Sequence, residues 1–207
     1  MNIETINKET EIAAAVRYDA VDFTNMEPIM SEGYQKLWAY VAQCGKQPAG
    51  APYCKYTNGS ADFMKFDIEL GVPVSEALSE KDGIYMSKTC EGKATTAMHK
   101  GAYKDIKKTY APMMQYLAEN KLESTGVYYD YYLNNPADTS ESELLTKVVF
   151  MLKEAERKNK NESVTLFNFQ RKLYGGNRAL RKSIRHKGGR RLPIQRRTAA
   201  TGAPCVA

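Results

Sequence analysis

Histidine is nearly missing from this chain and cysteine is scarce. His99 and His186 stand alone, and Cys44, Cys54, Cys90 and Cys205 never reach a C-x-x-C spacing. No zinc or iron–sulfur ligand set can be assembled from them by motif, and no Ser/His/Asp or Cys/His arrangement can be argued. Neither a metal nor a cofactor is expected. No stretch approaches about 18 apolar residues, and Met1-Asn2-Ile3-Glu4-Thr5 carries no cationic segment ahead of an apolar run. Membrane spanning and export are therefore not expected, and reduced thiols in a cytoplasm are the default. Without a secretory route the sequons Asn58-Gly59-Ser60 and Asn161-Glu162-Ser163 carry no meaning.

What the chain does hold is tyrosine and an uneven charge. Its 207 residues are 43% hydrophobic and include 14 Tyr, enough to bury a sizeable core. Residues 1–152 carry 15 Lys and Arg against 21 Asp and Glu, whereas 153–207 carry 15 against 3. Thirteen of the tyrosines precede position 153, so the segment able to form a core is the acidic one. One domain over 1–152 and a basic tail over 153–207 are expected. The tail spaces Arg171-Lys172, Arg181-Lys182, Arg190-Arg191 and Arg196-Arg197 among glycines with few apolar residues. It reads as a disordered arm capable of non-specific, salt-sensitive phosphate contacts with nucleic acid. No helix-turn-helix signature accompanies it.

Residues 1–152 contain an internal repeat. A shift of 76 positions lays Tyr34–Asn58 on Tyr110–Asn134 without a gap and matches Tyr34/Tyr110, Tyr40/Tyr116, Ala42/Ala118, Gly50/Gly126, Tyr53/Tyr129, Tyr56/Tyr132 and Asn58/Asn134. Ordinary composition would supply roughly two such identities. Two copies, about 1–74 and 83–152, follow. In each, apolar residues at helical spacing mark one face: Tyr34, Leu37, Trp38 and Val41, then Ile106, Tyr110, Met113, Met114 and Leu117. Trp38 and the Met113-Met114 pair read as core. Pro112 predicts a kink or a later helix start. Alternation marks strands at Phe63–Val72 and Leu144–Leu152, with others at Ile12–Tyr18, Tyr53–Thr57, Ile84–Cys90, Thr95–His99 and Val127–Leu133. The expected architecture is α+β: two pseudo-symmetric strand-helix-strand-strand units, an antiparallel sheet and a central ligand groove.

The stretch Val127–Leu133 carries the chemistry of most interest. Alternation places Tyr128, Asp130 and Tyr132 on one face and Val127, Tyr129, Tyr131 and Leu133 on the other. A carboxylate between phenol rings suits an amphipathic organic cation, which ring faces attract by about 0.5–2 kcal/mol while the acid supplies the counter-charge; the alternative is that Asp130 is solvated on an edge strand and its tyrosines merely pack. Position 130 corresponds to Cys54 in the other copy, so the charge marks one side of a pseudo-symmetric groove. Asp67 and Glu69 lie on the polar face of a first-copy strand, either as a solvated surface or as the far wall of a groove shared with Asp130. His99, at a strand end, reads as a hydrogen-bonding residue of the framework rather than a base.

The ordered set His99-Lys100-Gly101-Ala102-Tyr103, an amphipathic helix, Tyr129-Asp130-Tyr131-Tyr132-Leu133-Asn134-Asn135-Pro136, and Gly71-Val72-Pro73-Val74 closing the first copy resembles the GyrI-like family. That family also supplies the effector-binding domains of some AraC-type and MerR-type multidrug-responsive regulators. The resemblance covers about 1–152 and implies an α+β fold enclosing a groove for amphipathic, often cationic or aromatic, compounds. The family usually carries an aromatic followed by Glu where Tyr129 and Asp130 stand, that Glu being its contact with bound cations and, in members resembling cyclopropanoid hydrolases, a catalytic candidate. Asp keeps the charge but draws it back by one methylene. The first copy also departs from the His-x-Gly-x-Tyr pattern, showing Arg17-Tyr18-Asp19-Ala20-Val21. Three functions follow: capture of amphipathic small molecules by Asp130, Tyr128, Tyr132 and, if the groove is shared, Asp67 and Glu69; hydrolysis of strained electrophiles with Asp130 activating water; or a gyrase-inhibitory or transcription-regulatory interaction.

Overall fold

The computed structural model describes residues 1–60 and 64–154; the basic tail from 155 onward lies outside the described residues. Eight strands and two helices follow in the order β1 (Ile3–Lys8), β2 (Ile12–Asp22), α1 (Met26–Gln43), β3 (Tyr53–Thr57), β4 (Lys65–Pro73), β5 (Tyr85–Lys88), β6 (Gly92–Lys100), α2 (Lys107–Glu119), β7 (Ser124–Tyr132) and β8 (Leu145–Leu152). The strands make one antiparallel sheet ordered β1-β6-β8-β7-β3-β4-β2-β5.

That order is a palindrome of the chain order about the β3–β7 pair. The elements β1-β2-α1-β3-β4 are followed by β5-β6-α2-β7-β8 in the same sense, and each half lends its leading strand to the other half's neighbourhood: β1 pairs with β6, and β5 pairs with β2. At the centre Tyr53, Cys54, Lys55 and Tyr56 face Tyr131, Asp130, Tyr129 and Tyr128. Cys54 therefore lies opposite the residue 76 positions further along the chain.

Both helices cover the same face. Leu37 and Val41 of α1 pack with Cys54, Ile68, Leu70 and Val72, and Met113 and Leu117 of α2 pack with Val148, Phe150 and Leu152. The approach is close at Gly33, where an added Cβ would stand 2.5 Å from the Leu70 Cδ1 atom. Side chains of the alternate positions, Tyr53, Val127, Tyr129, Tyr131, Val149 and Met151, form a separate cluster on the opposite face. There the Tyr53 ring lies across Gly71, whose missing Cβ would meet it at 2.2 Å; only glycine leaves that room. Register shifts between Tyr18 and Val21 and between Ser124 and Tyr128 interrupt the ladders, and left-handed backbone at Ala20 and Gly126 (φ 51° and 86°) accommodates them.

Three expectations are corrected, and one strand was unforeseen. Trp38 is 40% exposed and Met114 37% exposed, because α1 and α2 bury a stripe narrower than the apolar pattern: Leu37 and Val41, and Met113 and Leu117, take the inward positions. The second helix begins at Lys107, ahead of Pro112, not after it; Pro112 sits on the exposed side. Strand β1 had no period-two signature, since its two isoleucines, Ile3 and Ile6, fall on opposite faces of an edge strand.

Candidate functional site

Strand β7 crosses the middle of the sheet and delivers three side chains beneath the helices: Tyr128, Asp130 and Tyr132. Asp130 is 2% exposed. Tyr110, from α2, donates a hydrogen bond from its hydroxyl to Asp130 Oδ2 at 2.5 Å, while Oδ1 is buried without a hydrogen-bond partner among the described residues. Burial pushes the Asp130 carboxyl up to about 7, and the Tyr110 and Tyr56 hydroxyls oppose the rise. Tyr56 acts from nearby without a hydrogen bond of regular geometry to Oδ1. A carboxylate enclosed with one oxygen unpaired is costly, and such groups gather where a ligand is to be met.

Aromatic rings pack against one another beside this acid. Tyr34 of α1 meets Tyr132 edge-on with centroids 6.0 Å apart, Tyr103 meets Tyr132 at 5.2 Å, Tyr110 meets Phe150 at 5.8 Å and Tyr128 meets Phe150 at 4.7 Å. The Tyr34 hydroxyl is buried and also lacks a hydrogen-bond partner among the described residues. Burial drives the phenols of Tyr34, Tyr56, Tyr110 and Tyr132 well above their ordinary range, with the Asp130 charge adding to each. The rings of Tyr34, Tyr103, Tyr110, Tyr128 and Tyr132 are only half-buried. The cluster thus reaches the surface in part, while the Tyr34 hydroxyl and Asp130 Oδ1 stay inside.

The sequence element around His99 holds this wall. His99 Nε2 faces the Ala102 carbonyl at 3.1 Å, which can only accept, so Nε2 carries the proton and Nδ1 accepts from the Thr109 hydroxyl at 2.9 Å. Gly101, at φ 131°, turns the chain behind the ring, and Tyr103 enters the cluster in a short 3-10 turn. His99 is a framework residue.

Asp67 and Glu69 are not on this wall. Their register partners Thr57 and Lys55 alternate with Tyr56 and Cys54, which places both acids on the opposite face of the sheet from Asp130, so no groove is shared. Asp67 is tied to Arg17 at 2.9 Å, to the Ala20 amide and to Asn58. Glu69 accepts from Tyr53, Tyr85 and Ser87, each at 2.9 Å. Both line a cleft of about 70 Å³ with Arg17 and Lys55. Their period-two assignment to one face was right; which face the helices would cover was not encoded in it.

Tyr34, Tyr56, Tyr103, Tyr110, Phe150 and Cys54 also stand at or beside this cluster, which alternation along one strand did not reveal. A signal existed for three of them: Tyr34, Tyr110 and Tyr56 take part in identities of the 76-residue shift, Tyr34 with Tyr110 and Tyr56 with Tyr132. No group of three His, Cys, Asp or Glu among the described residues is placed to hold a metal ion, and no described helix is long and apolar enough to cross a membrane.

Residues 2–153 match the GyrI-like small molecule binding domain, and the chain belongs to it. Solved structures of the same fold include the C-terminal domain of EcmrR, at 18% identity and TM-score 0.62 over 74% of this chain and 98% of that one. In the EcmrR–DNA complex the chain spans 58% of EcmrR, at TM-score 0.61. SAV2435 bound to tetraphenylphosphonium aligns at 10% identity and TM-score 0.53 over 77% of this chain and 98% of that one. A hydrolase encoded by lin2189 from Listeria innocua aligns at 13% identity and TM-score 0.55 over 73% and 91%. No curated protein matches in sequence.

Proposed function

We propose that the chain captures amphipathic organic cations, with Asp130 as counter-charge and Tyr34, Tyr103, Tyr110, Tyr128 and Tyr132 as the aromatic wall. The observation that carries this reading is Asp130 Oδ1, without a hydrogen-bond partner among the described residues and buried beside rings that attract a cation by their faces. A cation entering the cluster gives that oxygen the partner it lacks. Entry requires the half-buried tyrosines to part, so the rings form both wall and lid. Sequestration or sensing of such compounds is the role that fits a binding domain, and the tetraphenylphosphonium complex of SAV2435 supports the ligand class. The test is a titration of tetraphenylphosphonium into the full chain and into Asp130→Asn: the variant is expected to lose about 1–3 kcal/mol of affinity. Equal affinities would refute the electrostatic role.

A second reading is favoured by the Asp130 carboxyl lying near 7, where a general base works best at neutral pH. In that reading the acid activates water against a strained electrophile and Tyr128 or Tyr132 orients it. Multiple turnover of such a compound separates hydrolysis from capture. Contact of the 153–207 tail with nucleic acid is a further proposal, checked by salt-dependent retention on DNA.

A further inference from the structure

Cys54 is a free, fully buried cysteine on the helix-covered face of the sheet, and nothing in cation capture uses it. It faces Asp130 directly across the β3–β7 ladder. The Tyr132 amide donates to the Pro52 carbonyl at 2.9 Å two positions away, so the alternation of the antiparallel ladder makes Cys54 and Asp130 a hydrogen-bonded pair with Cβ atoms about 5.5 Å apart. The thiol and the carboxylate, whose Oδ1 has no hydrogen-bond partner among the described residues, therefore lie side by side and buried beneath the helices that carry Tyr34 and Tyr110.

We propose that Cys54 makes this site a covalent trap for cationic or aromatic Michael acceptors, its thiol adding to an electrophile that is held against Asp130. The inference rests on the capture reading above and extends it to a class of ligand that does not leave. The S–H bond breaks and an S–C bond forms at the β-carbon of the acceptor. Asp130 takes the thiol proton on its free oxygen and returns it to the α-carbon of the resulting enolate. All atoms of thiol and acceptor are retained, no oxidant or leaving group is needed, and one equivalent is consumed per chain.

The chemistry is selective for a physical reason. Burial holds the Cys54 thiol well above its ordinary range, and the Asp130 charge adds to this while the Tyr56 hydroxyl opposes it. The resting thiol is therefore protonated and inert. A positive charge brought beside it offsets both effects, so the cation that Asp130 attracts is also what releases the thiolate. Neutral electrophiles lack that assistance.

Cys44, free and half-buried at the end of α1, is an internal control. The full chain is treated with N-ethylmaleimide or with N-[2-(trimethylammonium)ethyl]maleimide, and the tryptic peptides 37–46 and 47–55 are followed by mass spectrometry. The cationic reagent is expected to label Cys54 faster than the neutral one, with a cationic-to-neutral rate ratio about tenfold or more above that at Cys44. Tetraphenylphosphonium should protect Cys54 but not Cys44. In Asp130→Asn the ratio should fall to that of Cys44, and Cys54→Ser should still bind tetraphenylphosphonium. Reversible binding of that cation with Cys54 unlabelled, or labelled no more selectively than Cys44, overturns the trap alone. Absence of both binding and labelling overturns the capture reading with it. The wild-type comparison of two cysteines in one chain needs no variant to fold.

Discussion

Tyr34 and Tyr110 are related by the 76-residue shift, stand on α1 and α2 above the same acid, and differ in what their hydroxyls do: Tyr110 donates to Asp130 Oδ2, and Tyr34 has no partner among the described residues. The asymmetry follows from the sheet below them. Under the two-fold relation Tyr110 stands over Asp130 as Tyr34 would stand over Cys54, and a neutral thiol does not draw a phenol as a carboxylate does.

The two tyrosines should therefore respond in opposite ways to loss of the hydroxyl. Tyr110→Phe leaves the buried carboxylate without its hydrogen bond and is expected to cost about 1–3 kcal/mol at pH 8. Tyr34→Phe removes a buried hydroxyl that has nothing to lose and should be neutral or stabilising. Urea denaturation of both variants decides the matter, and equal losses would contradict the hydrogen-bond assignment.

Cation affinity should depend on pH through Asp130. Its carboxyl, near 7 in the folded protein, must be ionised to pair with a cation. Affinity for tetraphenylphosphonium is expected to rise with pH, to level off above about 8, and to fall about tenfold per unit below 6, with up to one proton released on binding. Calorimetry in buffers of different ionisation enthalpy measures that proton; a flat profile from pH 5 to 8 would exclude Asp130 as the counter-charge.

The same group sets a slope in stability. Because burial raises the folded-state value from 3.8 to about 7, the folded protein holds this proton more tightly than the unfolded chain does. The contribution is present in full below pH 4, is lost as pH rises toward 7, and changes no further above that. Asp130→Asn should remove this component of the slope, and denaturation midpoints compared at pH 4, 6 and 8 check it.

Glu69 offers the contrasting case of a buried acid that is satisfied. Three donors hold it on the opposite face, so Glu69→Gln is expected to lower stability by about 1–3 kcal/mol and to leave tetraphenylphosphonium affinity unchanged. A matching loss of affinity would place the two acids in one site after all.

Legibility divided along a clear physical line. Period-two alternation exposed Tyr128, Asp130 and Tyr132 as one face of a strand, and β3 was bounded at Tyr53–Thr57 as observed, because alternation is a local property of the backbone. It could not say that Glu69 and Asp130 would point to opposite sides. That depends on the Lys55–Glu69 and Cys54–Asp130 pairings, which join residues far apart in the chain. Trp38 and Met114 satisfied helical spacing yet remained at the surface, since spacing reports a stripe and packing decides its width.

By itself the sequence marked the two helices, most of the strands and the presence of a single acid in a tyrosine-rich strand, since these are carried by residue order and short-range periodicity. Only the tertiary structure decided that Asp130 is enclosed with an oxygen unpaired, that Cys54 faces it, and that Tyr34 and Tyr110 descend on it from two helices. Burial and hydrogen-bond satisfaction are properties of what surrounds a group, and those surroundings come together only when β3 and β7 pair at the centre of the sheet.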